Sequence, residues 1–238
     1  MFENVTKGEA TKQQILQTAL QLFRSQGFDS TTMRDIAAAL GMSLGAAYYY
    51  FETKESIIAA YYDYVQAEHI LRARAQFAKH AALRERVAAA IHTKLDILQD
   101  DRQLLAALFR YGGDPGHPLS WFGPETRNQR ELSMGVFAEA IADERLPNDL
   151  REVTPVLLWA LHMGVLLYFL YDKSPNQRRT WRLAEAAVAM VMQAKRIVTL
   201  PLMRSVRKRV IDALREAELI PAVPKLPATE TSTSNEEG

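Results

Sequence analysis

Histidine, cysteine and acidic residues are the groups of this sequence that could ligate a metal ion or act in catalysis. The chain has no cysteine, so it lacks thiolate nucleophiles, disulfides and Cys-ligated zinc, which suits a reducing cytoplasm. None of the five histidines has another histidine four residues further on, and no Gly-rich loop of the phosphate-binding type occurs. We therefore expect no metal, no cofactor and no enzymatic activity, and a helical enzyme is the alternative furthest from these patterns. The histidines are His69, His80, His92, His117 and His162.

The composition is that of a folded and nearly neutral protein. Of the 238 residues, 48% are hydrophobic, which suffices for one large domain or two smaller ones. Lys and Arg number 29 against 28 Asp and Glu, so the net charge of +1 gives no general signal for nucleic acid. Residues 1–10 lack the apolar run of a signal peptide, and the apolar stretch 156–171 is shorter than the roughly 20 residues of a membrane span. We expect a cytoplasmic protein with no membrane association.

Helical periodicity extends from Thr11 to about Leu219, and no segment shows the sustained alternation of a strand. The predicted fold is all-α, with about nine or ten helices, of which the first four are short and the later ones long. We predict an N-terminal three-helix domain over 1–54 that leads directly into a larger helical domain over 55–220. Residues 221–238 are rich in Pro, Thr, Ser and Glu and are expected to form a disordered tail.

Residues 32–51 have the pattern of two short helices joined by a tight turn. Thr32 and Asp35 have the spacing of a capping box, and apolar residues then recur at helical spacing until Gly41, where a left-handed turn is least costly. Ser43 can cap the second helix. On that helix we expect an inward face of Leu44, Ala47, Tyr48 and Phe51 and an outward face of Gly45, Ala46, Tyr49 and Tyr50.

Two short helices joined in this way allow the second one to enter the major groove of DNA. Small outward residues permit close approach to base edges, and tyrosine hydroxyls can bond phosphates. Arg34 and Lys54 are placed to flank such a groove and neutralise phosphates. An Ala-rich helical hairpin with ordinary core and rim aromatics is the alternative, and periodicity alone leaves both interpretations open.

From Thr11 to Tyr61 the sequence resembles the tetracycline-repressor (TetR) family of bacterial regulators, through motifs such as 31–37, 40–43 and 45–51. Leu44 departs from the family pattern, which often has Lys or another polar residue there, so operator preference does not follow from the resemblance. The resemblance implies double-stranded operator DNA as a partner, with DNA contacts from Thr32, Arg34, Ser43, Gly45, Ala46, Tyr48, Tyr49, Tyr50 and Lys54.

The resemblance also implies that the larger domain binds a ligand and forms a homodimer. Two predicted helices, 153–171 and 180–197, look like the pair that forms a four-helix bundle with a second copy. A helix that is apolar nearly all round must be buried on several sides, which agrees with a dimer. The alternative is the central helix of a monomer.

Aromatic residues of the larger domain could line a ligand cavity, although most of them would also suit an ordinary core. A single histidine in an apolar helix, such as His162, is usually a core residue with its hydrogen bonds satisfied. The loop 112–120 is either the entrance to the cavity or a simple turn, and the basic run 196–209 is expected to be a solvated face. The candidate cavity residues are Phe109, Tyr111, Trp121, Phe122, Trp159, His162 and Tyr168.

These features together predict a DNA-binding repressor that a small apolar or amphipathic inducer releases from its operator. The conformational change is expected to pass through the helix that begins near Lys54. The alternative is a regulator of the same fold whose C-terminal domain binds a protein partner or has no small-molecule inducer.

Overall fold

The computed structural model describes residues 6–217, which form ten α-helices and three short 3₁₀ helices, with no β-strand in this range. The predicted all-α fold is confirmed. The predicted tail 221–238, with the last residues of the predicted larger domain, lies outside the described residues. The helices are α1 Lys7–Gln26, α2 Met33–Ala39, α3 Leu44–Tyr50, α4 Lys54–Phe77, α5 Leu83–Ile97, α6 Arg102–Gly112, α7 Arg127–Ala140, α8 Asn148–Tyr171, α9 Arg178–Val198 and α10 Arg204–Glu216.

Capping boxes start the first two helices. The Thr6 hydroxyl accepts a hydrogen bond from the Glu9 backbone N–H at 3.2 Å, and the Glu9 carboxylate accepts one from the Thr6 N–H at 2.8 Å. Thr32 and Asp35 repeat this arrangement with the same distances, as predicted. The prediction of four short initial helices is wrong, because α1 spans 20 residues and α4 spans 24, and only α2 and α3, with 7 each, are short.

The break between α4 and α5 has no helix-breaking residue and was not predicted. The connecting residues 78–82 contain neither Gly nor Pro, and Ala82 caps α5 without a side-chain hydrogen bond. The backbone N–H groups of Lys79 and His80 bond the carbonyls of Gln76 and Phe77 at 2.9 and 3.2 Å, which tightens the end of α4. Helix α5 then packs back along α4.

One hydrophobic core runs through the N-terminal helices and the larger helical region. Ile15 of α1, Ile57 of α4, Leu95 of α5 and Phe169 of α8 are all fully buried members of it. Helix α4 contributes at both ends, with Ile57 near α1 and Ala73 packed further along. Displacement of α4 in the larger region therefore acts directly on the packing of the N-terminal helices.

Helix α8 is the apolar centre of the larger region. It is long and apolar enough to cross a membrane by length and composition, a property that the core helices of soluble proteins share. Here it packs against α5, α6, α7, α9 and α10. Its inward residues, among them Leu158, His162 and Phe169, are buried within the chain.

Candidate functional site

The turn between α2 and α3 fixes the orientation of two short helices. Gly41 has a φ of +64°, a left-handed conformation that strains residues with a side chain. The N–H of Met42 then reaches back to the Ala37 carbonyl at 3.0 Å. Ser43 caps α3, as its hydroxyl accepts from the Ala46 N–H at 3.2 Å. The predicted helix-turn-helix is therefore present, with both predicted caps.

The outer face of α3 is small and aromatic. Gly45 is exposed, and a Cβ atom there would have open space around it. Tyr49 is 83% exposed, and its ring lies edge-on to Tyr50 with centroids 5.1 Å apart. This face is open to a binding partner of large size and carries hydroxyl groups that can donate or accept hydrogen bonds.

Two tyrosines of α3 exchange the positions predicted for them. Tyr48 was expected to face inward but is 46% exposed, whereas Tyr50 is half-buried and packs against the core. Successive helical residues are about 100° apart, so Tyr50 is about 60° from the fully buried Ala47 and Tyr48 about 100° from it. Tyr50 is therefore closer to the inward direction, with Phe51 completing the buried edge.

The cations predicted to flank this face differ in their surroundings. Arg34 is exposed in the first turn of α2. The Lys54 ammonium donates to the Phe28 carbonyl at 2.7 Å and lies 4.6 Å from the centroid of the Phe28 ring. Lys54 thus ties the start of α4 to the segment between α1 and α2, and its contact with DNA stays a prediction, as do the other predicted DNA contacts.

A cavity of about 180 Å³ lies among α4, α5, α6, α7 and α8. Its wall is mainly apolar and aromatic. Four of the seven candidate cavity residues lie in that wall, and they are Phe109, Trp121, Trp159 and His162.

The other three candidates lie elsewhere. The Tyr111 hydroxyl donates to the Asp29 carboxylate, and its ring stacks on His117 with centroids 4.4 Å apart. Phe122 is exposed and meets the ring of Trp159 edge-on from outside the cavity. Tyr168 is also exposed, since it lies on the outward side of α8. These three do not line the cavity, because each side chain points out of the helical interior or toward α1 and α2.

Gly112 lets Trp121, a residue of the cavity wall, pack closely against the end of α6. A Cβ atom at Gly112 would overlap the indole of Trp121, so only glycine permits this close approach. The backbone N–H of Trp121 donates to the Gly112 carbonyl at 3.0 Å. Arg130 Nη1 donates to the Trp121 backbone carbonyl at 2.6 Å. The loop 112–120 therefore does more than turn the chain, because it returns Trp121 to the cavity wall.

The polar groups of the cavity include a lysine that is not among the residues predicted to line it. Lys94 is buried, and its ammonium donates to Gln66 Oε1 at 3.0 Å. Burial lowers the pKa of Lys94 to about 7. A sequence signal does exist, because Lys94 occupies the apolar stripe of α5, three residues after Ile91 and four before Leu98.

His162 is not the satisfied core histidine that was expected. It is fully buried, and neither ring nitrogen has a hydrogen-bond partner among residues 6–217. Burial first, and then the charge of Lys94, lower the pKa of His162 to about 3, so its ring is neutral. His69 stacks on it at 6.1 Å, with Nε2 2.8 Å from the Ala90 carbonyl oxygen. A neutral imidazole with two free nitrogens can both donate and accept.

A chain of hydrogen bonds joins the cavity wall to α1. The Tyr61 hydroxyl, in the wall, donates to Asp101 Oδ2 at 2.6 Å, and Arg24 Nε of α1 donates to Asp101 Oδ1 at 2.6 Å. Helix α6 makes a second link, because Arg110 pairs with Asp29 beside Tyr111. The cavity is thereby tied to the N-terminal helices at two places.

A second cavity of about 270 Å³ lies beneath α10 and is more uniformly apolar. Its cations are already paired, since Lys195 bonds Glu144, and Arg207 bonds Asp149 at 3.0 Å and the Val198 carbonyl at 2.6 Å. Arg207 is buried, so the expectation that the whole basic run is solvated is wrong at this residue. The first cavity is the better candidate ligand site, because its wall contains buried polar atoms without a partner among the described residues, whereas the lining of the second cavity contains none of the buried unpartnered atoms of residues 6–217.

Exposed apolar residues follow one stripe on α8 and one on α9. On α8 the stripe includes Leu157, Leu167 and Tyr171, with the small residues Ala160 and Gly164 between them. On α9 it comprises Leu183, Ala186, Met190, Ala194 and Ile197. An exposed apolar patch of this extent indicates a binding surface.

Comparison with known proteins identifies both parts of the chain. The sequence model described as "Bacterial regulatory proteins, tetR family" matches residues 15–61, and the one described as "Tetracyclin repressor-like, C-terminal domain" matches residues 86–211. The HTH-type transcriptional regulator AcrR of Shigella flexneri is 42% identical over 60 residues, which cover 24% of this chain and 28% of AcrR. The chain spans less than a third of the length of the first curated relatives that it matches.

Solved structures share the fold over most of their length. The crystal structure of the TetR transcriptional regulator from Nitrosomonas europaea has a TM-score of 0.63 and 20% identity, covering 77% of this chain and 98% of that one. The Thermus thermophilus FadR repressor, solved in complex with lauroyl-CoA, has a TM-score of 0.56 and 21% identity, covering 76% of this chain and 93% of FadR. Over about three quarters of this chain, the fold is therefore one that these solved regulators share.

Proposed function

The chain belongs to the tetR family of bacterial regulatory proteins, and we propose that it is a homodimeric repressor released from operator DNA by a small amphipathic ligand. The observation that carries this proposal is the helix-turn-helix within the family match, with the outer face of α3 open.

The proposed DNA contacts lie on α3 and at the starts of α2 and α4. Gly45 and Ala46 would bring the backbone of α3 close to base edges and thymine methyl groups. Tyr48 and Tyr49 are exposed beside them and would bond phosphates, while Arg34 adds a positive charge. We propose that Thr32, Ser43, Tyr50 and Lys54 contact the sugar-phosphate backbone of the DNA and so position α3.

The proposed dimer forms through α8 and α9, within the ranges 153–171 and 180–197. The exposed apolar stripes of both helices support it, because pairing with the same stripes of a second copy would remove them from water. A two-fold dimer presents two copies of α3, which suits an operator with two half-sites about 34 Å apart. Residues 1–54 would then be the DNA-binding domain, and the larger region would be the dimerisation domain.

The proposed ligand site is the cavity around Trp159 and His162. Its mostly apolar wall with a few polar groups is the usual character of a small-molecule site. The fold neighbour FadR was solved with lauroyl-CoA, which shows that a member of this fold holds an amphipathic molecule. For this chain we propose an amphipathic ligand without carrying over that particular molecule.

Release of DNA requires that the ligand favour a conformer whose two α3 helices are wrongly spaced. Helix α4 is one route, since it contributes both to the cavity wall and to the packing of α1. The Tyr61, Asp101 and Arg24 hydrogen bonds supply a second route. Both routes act on the N-terminal helices without requiring any flexible linker.

DNA selection followed by a matched pair of variants tests the regulator proposal. Operator sequences are first selected from randomised duplex DNA by the wild-type protein, and binding is then measured by fluorescence anisotropy at fixed salt concentration. Tyr49→Ala should weaken binding by about tenfold or more. Tyr64→Ala is the control, since Tyr64 is an exposed tyrosine of α4 outside the helix-turn-helix. Absence of any selected sequence, or unchanged binding by Tyr49→Ala, contradicts the proposal.

A further inference from the structure

The cavity around Trp159 and His162 has an unusual charge composition. Its wall includes two cationic side chains, Lys94 of α5 and Arg130 of α7, and no aspartate or glutamate. Among residues 6–217, no carboxylate lies within 4.0 Å of the Lys94 ammonium, although most other buried or half-buried cations of the larger region, such as Arg86 and Arg207, have an acidic partner. A buried cation without a counter-ion is costly, so this cavity is electrostatically incomplete.

Several polar groups of the cavity also lack hydrogen-bond partners. An ammonium group has three protons, and that of Lys94 has one protein acceptor, Gln66 Oε1 at 3.0 Å. The Gln66 side-chain amide Nε2, both ring nitrogens of His162 and Gln129 Oε1 are buried without a partner in the described part of the chain. Among these unpartnered groups of the cavity wall, the donor protons outnumber the acceptors, which is the arrangement that an anionic oxygen satisfies.

The volume and the aromatic wall limit the ligand. The cavity holds about 180 Å³, and an engineered apolar cavity of about 150 Å³ in another protein binds benzene. Trp121, Trp159 and Leu166 supply a flat and apolar surface beside the polar groups. A molecule that fits has one acidic group and an apolar body of about the size of one aromatic ring or a medium-length alkyl chain.

We propose that this cavity binds a small monocarboxylic acid, whose carboxylate is held by Lys94 and Gln66 and whose apolar body packs against Trp121 and Trp159. The inference rests on the proposed function, as it names the chemical class of the ligand that acts there. Lys94 is the specificity-determining residue. His162, whose ring nitrogens have no partner among residues 6–217, would donate its single ring proton to the same carboxylate.

Matched acids and amides test the charge requirement. Phenylacetate, octanoate, phenylacetamide and octanamide are titrated into the full chain without DNA, with tryptophan fluorescence and calorimetry as readouts. At least one acid should bind, and it should bind at least about tenfold more tightly than its own amide. Failure of both acids to bind, or equal binding of an acid and its amide, overturns the proposal.

Two lysine variants test the position of the site. Lys94→Met keeps the length of the side chain without its charge and should abolish the preference for acid over amide. Lys195→Met is the control, because Lys195 lies in the second cavity, and it should leave the preference unchanged. Retention of the preference in Lys94→Met places the acid elsewhere and overturns the assignment. If Lys94→Met does not fold, the wild-type comparison of acid with amide still decides the charge requirement.

The two proposals fail in different ways. If the acid binds through Lys94 but does not change the affinity of the full chain for selected DNA, the cavity assignment stands and release by the ligand is wrong. If the amides release DNA as well as the acids do, release stands and the carboxylate site is wrong.

Discussion

Tyr61 and Asp101 are joined by a buried hydrogen bond of 2.6 Å, and the same carboxylate also accepts from Arg24 in the N-terminal helix. Tyr61 lies in the wall of the cavity proposed to bind a ligand, 40 residues before Asp101 and 37 after Arg24. The Asp101 carboxylate therefore couples a cavity residue to α1, which packs against α2 of the helix-turn-helix. Removal of this hydrogen bond therefore tests the proposed coupling between the cavity and the N-terminal helices.

Tyr61→Phe removes the hydroxyl and leaves the buried Asp101 carboxylate with one partner fewer. We expect the free energy of unfolding to fall by about 1–3 kcal/mol, because an unsatisfied buried group keeps its full desolvation cost. Urea unfolding followed by circular dichroism measures the change. Tyr64→Phe is the control, and equal stability of the two variants would show that the hydrogen bond contributes nothing. The variant should also reduce the ratio of DNA affinities without and with ligand.

Lys94→Met should stabilise the ligand-free protein at pH 7, because a buried ammonium without a carboxylate is replaced by an apolar side chain of similar length. Burial lowers the pKa of Lys94 from 10.5 to about 7, so between these values the unfolded chain binds more protons than the folded one. The stability of the wild type should therefore rise as the pH increases from 7 toward 10, and the advantage of the variant should shrink.

Thermal unfolding at pH 7, 8.5 and 10 measures this dependence. Lys79→Met is the control, since Lys79 is exposed and its replacement should not change stability with this pH profile. A Lys94→Met protein that is less stable than wild type at pH 7, with no change in its difference up to pH 10, contradicts the buried cation.

Asp172 organises the start of α9, one of the two helices of the proposed dimer. Its carboxylate accepts from the Ser174 N–H at 2.8 Å and from the Thr180 N–H and hydroxyl at 2.9 and 2.7 Å. Burial raises the pKa of this carboxyl, but the hydrogen bonds from Ser174 and Thr180 outweigh it, so the pKa lies below 3.8. The carboxylate therefore adds stability above pH 3.8 that is lost as the pH falls through its folded-state pKa.

Asp172→Ala should lower the free energy of unfolding by about 1.5–3 kcal/mol at pH 7, which is the usual contribution of hydrogen bonds to a charged group. The difference from wild type should shrink as the pH is lowered from 5 toward 3, as measured by denaturant unfolding at each pH. Asp114→Ala is the matched control, because Asp114 is exposed and also accepts from a backbone N–H, that of Gly116 at 3.0 Å. A pH-independent difference would exclude the ionised carboxylate as its cause.

Met190→Glu places a charge at the centre of the apolar stripe on α9, where Met190 is 64% exposed in the single chain. Burying an unpaired carboxylate costs about 3 kcal/mol or more, so the proposed dimer should weaken by roughly a hundredfold or more. Sedimentation velocity over a range of concentrations measures this. Leu71→Glu is the control, since Leu71 is 61% exposed on α4, outside both stripes, and should leave the assembly unchanged. Unaltered assembly of Met190→Glu would remove α9 from the interface.

The helix-turn-helix and the all-α class follow from short-range patterns of the amino-acid sequence. Thr32, Asp35, Gly41 and Ser43 act within three or four residues of themselves, through caps and a left-handed turn, so their effect can be read without the rest of the chain. The same short-range patterns predict the wrong exposure for Tyr48 and Tyr50. Apolar spacing does not specify which side of a two-turn helix the core covers.

The groups that meet in the cavity are brought together by long-range packing, which the sequence patterns do not predict. Lys94 reaches Gln66 across 28 residues, Arg24 reaches Asp101 across 77, and Arg207 reaches Asp149 across 58. Four of the seven candidate aromatics line the cavity and three do not, because the packing of α6, α7 and α8 sets the direction of each ring. Burial and pairing of a polar group depend on helices that are distant in sequence, and no local pattern contains that information.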